Sequence, residues 1–94
     1  MSDKLEKDIQ RGQRAANLLA DDLVTEAREH IDATIWQMFR DTPPENKDRL
    51  AYLAGMAYFH KKYLEFFQAA VTNGKLASIN LEAKKKSLRE RVFG

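Results

Sequence analysis

Apolar residues recur along most of this chain at intervals of three and four, the spacing of one face of an α-helix. The longest row is Leu50, Leu53, Ala57, His60, Leu64, Phe67 and Val71, a heptad seam interrupted only by its histidine. A second row, Tyr52, Met56, Phe59, Tyr63, Phe66 and Ala70, runs beside the first. Arg49, Lys61, Lys62 and Glu65 fall in the gaps. The apolar sector of this segment is therefore wider than a contact with one neighbouring helix requires.

The punctuation supplies the ends. Thr42 suits an N-cap, Pro43 suits the first helical position, and Glu45 completes a Thr-x-x-Glu capping box. Asn73-Gly74 reads as a C-terminal stop, because glycine accepts the left-handed conformation that often follows a helix. These signals predict a helix over 43–73.

Upstream, Val24, Ala27, Ile31, Ile35 and Met38, with Leu23, Trp36 and Phe39 nearby, predict a helix at about 22–40. Asp21 or Asp22 can cap it. Leu5, Ile9, Ala16 and Leu19 give a weaker helix at about 3–20, interrupted by Gly12. Beyond Gly74, Leu76, Ile79, Ala83 and Leu88 suggest a last helix at about 75–92. The expected fold is all-α: a long antiparallel helical hairpin with flanking N- and C-terminal helices, in one domain spanning 1–94. The short connection at Thr42-Pro43-Pro44 makes the two long helices antiparallel neighbours.

Composition narrows the class. Apolar residues make up 44% of the 94 positions and charged residues 32%, which suits a small globular chain. No run approaches the ~20 apolar residues of a membrane span, and no signal peptide opens the chain, so neither spanning nor secretion is expected and the expected location is the cytoplasm. Cysteine is absent, which excludes disulfides and thiolate chemistry. A chain this short buries only about two-thirds of the surface its unfolded state exposes, so it must find further apolar burial in an oligomer or accept marginal stability.

The charge is nearly balanced, 16 basic against 14 acidic residues, but unevenly placed. Residues 1–47 carry 7 basic and 10 acidic groups, whereas 48–94 carry 9 and 4. Most of the basic excess lies in Lys84, Lys85, Lys86, Arg89 and Arg91. These cations can contact phosphate backbone or an acidic protein, and they also suit a helix C-terminus.

Signals for catalysis are missing. There is no glycine-rich phosphate loop, no Gly-x-Ser-x-Gly and no His-Glu-x-x-His. His60 occupies a seam position and reads first as a partly buried core histidine. His30 follows Glu26 by one helical turn, yet neither histidine has the glutamate three residues earlier that a carboxylate-bridged bundle uses. The expectation is no enzyme, no metal and no cofactor. The aromatic row reads as core or oligomer interface, with a base-stacking platform beside Lys61 and Lys62 as the less favoured reading.

Further features are Arg14-Ala15-Ala16-Asn17-Leu18-Leu19, Asp22-Leu23, Glu26-Ala27, Phe39, Thr42-Pro43-Pro44, Arg49-Leu50 and Asn73-Gly74-Lys75-Leu76-Ala77. Over about residues 11–82 the chain resembles small helical proteins encoded in tailed-phage and prophage structural gene regions. That group often carries a proline after an aspartate near position 22, where this chain has Leu23. The resemblance implies a role in particle assembly or DNA packaging and carries over no catalytic residue.

The leading expectation is thus an oligomeric protein-interaction module. Tyr52, Met56, Phe59, Tyr63 and Phe66 would form its partner surface, and phage particle components would be among its partners. The alternatives are nucleic-acid binding through Lys84, Lys85, Lys86, Arg89 and Arg91, and a phage-encoded inhibitor that docks on a host protein.

Overall fold

A computed structural model describes residues 2–93 as three α-helices: α1 (Ser2–Ala20), α2 (Asp22–Arg40) and α3 (Lys47–Phe93). No strand occurs among the described residues. The all-α expectation holds, and α1 and α2 fall where the apolar periodicity places them.

The boundary between α1 and α2 is one residue wide. Asp21 has extended backbone (φ −67°, ψ 126°), and its carboxylate accepts from the Leu23 and Val24 amides at 2.9 and 3.1 Å. An aspartate in this role satisfies two amides that the helix itself cannot. The Thr25 hydroxyl donates to the Leu19 carbonyl at 3.3 Å, which satisfies a carbonyl left over at the end of α1.

The start of α3 differs from the sequence reading. Thr42 does not cap it. Its hydroxyl turns back and donates to the Met38 carbonyl at 2.6 Å, so Thr42 closes α2. Pro43 cannot serve as the first helical residue because Pro44 follows it, and a residue before proline is driven away from helical backbone. Instead Pro43–Asn46 form a turn closed by the Asn46 amide on the Pro43 carbonyl at 3.0 Å. Asn46 then caps α3, its side-chain oxygen accepting from the Arg49 amide at 3.2 Å.

The second difference lies at Gly74. The expected stop at Asn73-Gly74 is absent, and the helices read as 43–73 and 75–92 are one helix of 47 residues. No described glycine has positive φ. Gly74 serves close approach rather than chain reversal. A Cβ built on Gly74 would lie 2.9 Å from the Gly12 Cα, and one on Gly12 would lie 2.8 Å from the Gly74 Cα and 2.9 Å from the Ala70 carbonyl oxygen. The two backbones touch, with no room for a methyl group between them.

The chain divides into two compact units. One joins Met1–Leu18 to Phe67–Gly94. Its tightest contact is the Gly12–Gly74 crossing, and its buried side chains are Ala15, Ala70 and Ala77. Small residues at these positions are what permit the helices to approach so closely. Gly12 therefore does not interrupt α1; it is the point where α1 meets α3.

The other unit is Leu19–Phe66. Here α2 packs on the first part of α3 around Leu53, which is 1% exposed, and Ile35. The contacts run in opposite directions along the two helices. The Arg49 guanidinium Nε donates to the Thr42 hydroxyl at 3.1 Å, while Arg28 and Asp32 share a cleft with Ala57, His60 and Leu64.

Candidate interaction surface

The two apolar rows of α3 separate as their spacing requires. The seam residues Leu50, Ala57, His60, Leu64, Phe67 and Val71 are half-buried and Leu53 is buried, so this row forms the inner face. The second row points elsewhere. Tyr52 is 69% exposed and Phe59 74%, and Tyr63 and Phe66 are also more than half exposed. Met56, between Tyr52 and Phe59, is half-buried, and Ala70 ends the row in the buried contact with α1.

Residues 52, 56, 59, 63 and 66 thus form one stripe about 21 Å long. An aromatic side chain buries 150–250 Å² when fully covered, so the four exposed rings offer roughly 400–600 Å² in all. A contiguous apolar patch of that size is the upper end of what a monomer ordinarily shows to water.

Two features border the stripe. Tyr58 meets Phe59 edge-on at 6.3 Å between centroids, and the Lys62 ammonium lies 5.4 Å from the Tyr58 ring centre while pairing with Glu65 at 3.1 Å. Gly55 lies on the same side. A Cβ built there meets nothing within 4 Å, so it leaves an open notch beside the rings.

The cluster around His60 was only partly visible in the sequence. A cleft of about 380 Å³ between α2 and α3 is lined by Arg28, Glu29, Asp32, Ala57, His60, Lys61 and Leu64. The Nε of Arg28 and the Nε2 of His60 are both buried without a hydrogen-bond partner. The apolar spacing points to Ala27 as the inward residue and passes over Arg28. In the structure Ala27 is exposed and Arg28 is half-buried, four residues after Val24 and seven before Ile35. Completing the 4-3-4 row from Val24 and Ile35 would have found it.

His30 and Glu26 are both exposed on α2. Among the described residues no group of three or more histidine, aspartate or glutamate side chains is placed to hold a metal ion. No helix there is long and apolar enough to cross a membrane.

The basic residues Lys84, Lys85, Lys86, Arg89 and Arg91 are all exposed on the last turns of α3. Glu82 precedes Lys85 and Lys86 by three and four residues, yet no ion pair among the described residues engages any of the five cations. Comparison of the chain with family models, curated proteins and solved structures gave no match.

Proposed function

We propose that this chain is a non-enzymatic interaction module that self-associates through the outer stripe of α3, with the α2–α3 hairpin as its rigid frame. The observation that carries the reading is the exposure of Tyr52 and Phe59 on a helix whose inner face is already occupied by α2. Hiding apolar area of this size from water favours association by ~25 cal/mol per Å² before the costs of ordering are met. The 4-3-4-3 spacing of residues 52, 56, 59, 63 and 66 is that of a coiled-coil seam, which a second copy of the same helix can match. The notch at Gly55 favours close approach of that helix.

A place in phage particle assembly, in the cytoplasm of a host cell or in the virion, rests on the resemblance described above. It is the setting in which a small self-associating helical chain would serve.

Phe59→Asp tests the reading. It puts a charge at the centre of the stripe and leaves the inner seam intact. The expected result is a smaller species by light scattering with far-ultraviolet circular dichroism retained. An unchanged mass refutes the interface.

A further inference from the structure

We propose that the basic last turns of α3 dock on the acidic outer face of α2 in a second copy of this chain. The inference builds on the reading of the chain as self-associating and adds a second, electrostatic contact to it.

The first observation is that α1 cannot cover the end of α3. The two helices touch at Gly12 and Gly74, and α1 extends ten residues before Gly12 and eight after it. Whichever way it runs, α1 reaches no further than about residue 84 of α3, and residues 82–92 are all exposed. The overhang is nonetheless built as an amphipathic surface. Leu88 and Val92 lie one turn apart on the line that continues from Leu81, with Lys84 and Arg91 along one side and Lys85 and Arg89 along the other. Leu88 is 60% exposed and Val92 71%.

The second observation is charge. Like cations three and four residues apart on a helix repel one another, and these have no ion pairs among the described residues to offset that cost. The matching surface is on α2. Asp22, Glu26 and Glu29 follow one another at intervals of four and three along an exposed side of α2, Glu29 also reaching the rim of the cleft around His60, and Trp36 stands seven residues beyond Glu29. All four are exposed, and no ion pair among the described residues engages the three carboxylates. An apolar pair flanked by cations thus meets a row of carboxylates with Trp36 beyond its end. Such complementarity steers association and fixes its register.

Donor and acceptor patches are different surfaces, so each copy carries one of each. The contact is head-to-tail, and assembly continues until it closes into a ring or extends as a filament.

The test is a charge swap read by light scattering on the full chain, with circular dichroism to confirm helicity. Wild type should lose at least about twofold in mass between roughly 50 and 500 mM salt, because exposed charge contacts are screened over that range. Lys85→Glu/Arg89→Glu should give the high-salt mass already at low salt, and so should Glu26→Lys/Glu29→Lys. A chain carrying all four changes should regain the wild-type low-salt mass. Failure of the fourfold variant to regain mass overturns the proposal. So does a tail variant of unchanged mass that has lost retention of duplex DNA, since the surface then belongs to nucleic acid. If Phe59→Asp lowers the mass while salt and all charge variants leave it unchanged, self-association through the stripe stands and this contact falls. If the charge swap restores assembly where Phe59→Asp has no effect, this contact stands and the stripe falls.

Discussion

Among single residues, the glycines of this chain do opposite things in identical backbone. Gly12, Gly55 and Gly74 are all helical, and none has positive φ. A glycine in a helix interior costs about 1 kcal/mol relative to alanine, so each needs a reason to be there. Gly12 and Gly74 have one, because a methyl group on either would strike the backbone of the other helix at under 3 Å. Gly55 has no such neighbour. At concentrations too low for self-association, Gly55→Ala should therefore stabilise the single chain by up to about 1 kcal/mol. Gly12→Ala should destabilise it, because forcing atoms into a closed contact costs about 1–3 kcal/mol against the same propensity gain. Urea denaturation of the two variants, followed by circular dichroism, should move the midpoint in opposite directions. Equal shifts would mean that the crossing is not what holds α1 to α3. The sequence does not distinguish these glycines, since the difference lies wholly in which backbone stands opposite.

At the level of the helices, what was legible and what was not divides along local and long-range lines. The ends of α1 and α2 follow from side chains that act within a few residues, such as Asp21 on the amides of Leu23 and Val24. The split of α3 into an inner and an outer row also follows from spacing alone, and the structure buries Leu53 while exposing Phe59 as that spacing demands. Two local signals misled. Thr42-Pro43-Pro44-Glu45 has the letters of a capping box, but the second proline forbids helix at the first, and the cap passes to Asn46. Asn73-Gly74 has the letters of a stop, but contact with α1 carries the helix through it. Within the candidate site, the exposed rings are legible in the spacing and Arg28, in the cleft between α2 and α3, is not, because an arginine on an inner row breaks the apolar pattern that marks such rows. The Asp21 cap gives the direct test at this scale. Asp21→Ala should lower the unfolding free energy by about 1 kcal/mol and Asp21→Asn by much less. Equal losses would assign the effect to charge rather than to the two hydrogen bonds.

Across the whole chain, the buried apolar side chains among the described residues are few and small: Ala15, Ala70 and Ala77 beside Ile35 and Leu53. So small a core predicts marginal stability for a lone copy, and the proposed self-association would supply the remainder. The midpoint of thermal unfolding should then rise with protein concentration, as it does whenever a partner binds only the folded state. A midpoint independent of concentration over a hundredfold range, about two decades, would show that single copies are self-sufficient. The Gly12–Gly74 crossing carries a thermodynamic consequence of its own. Two backbones in contact hold by dispersion, and they withdraw little oily surface from water. Parting them accordingly releases little heat capacity, which flattens the curve of stability against temperature and leaves this end of the molecule nearly as firm in the cold as in the warm.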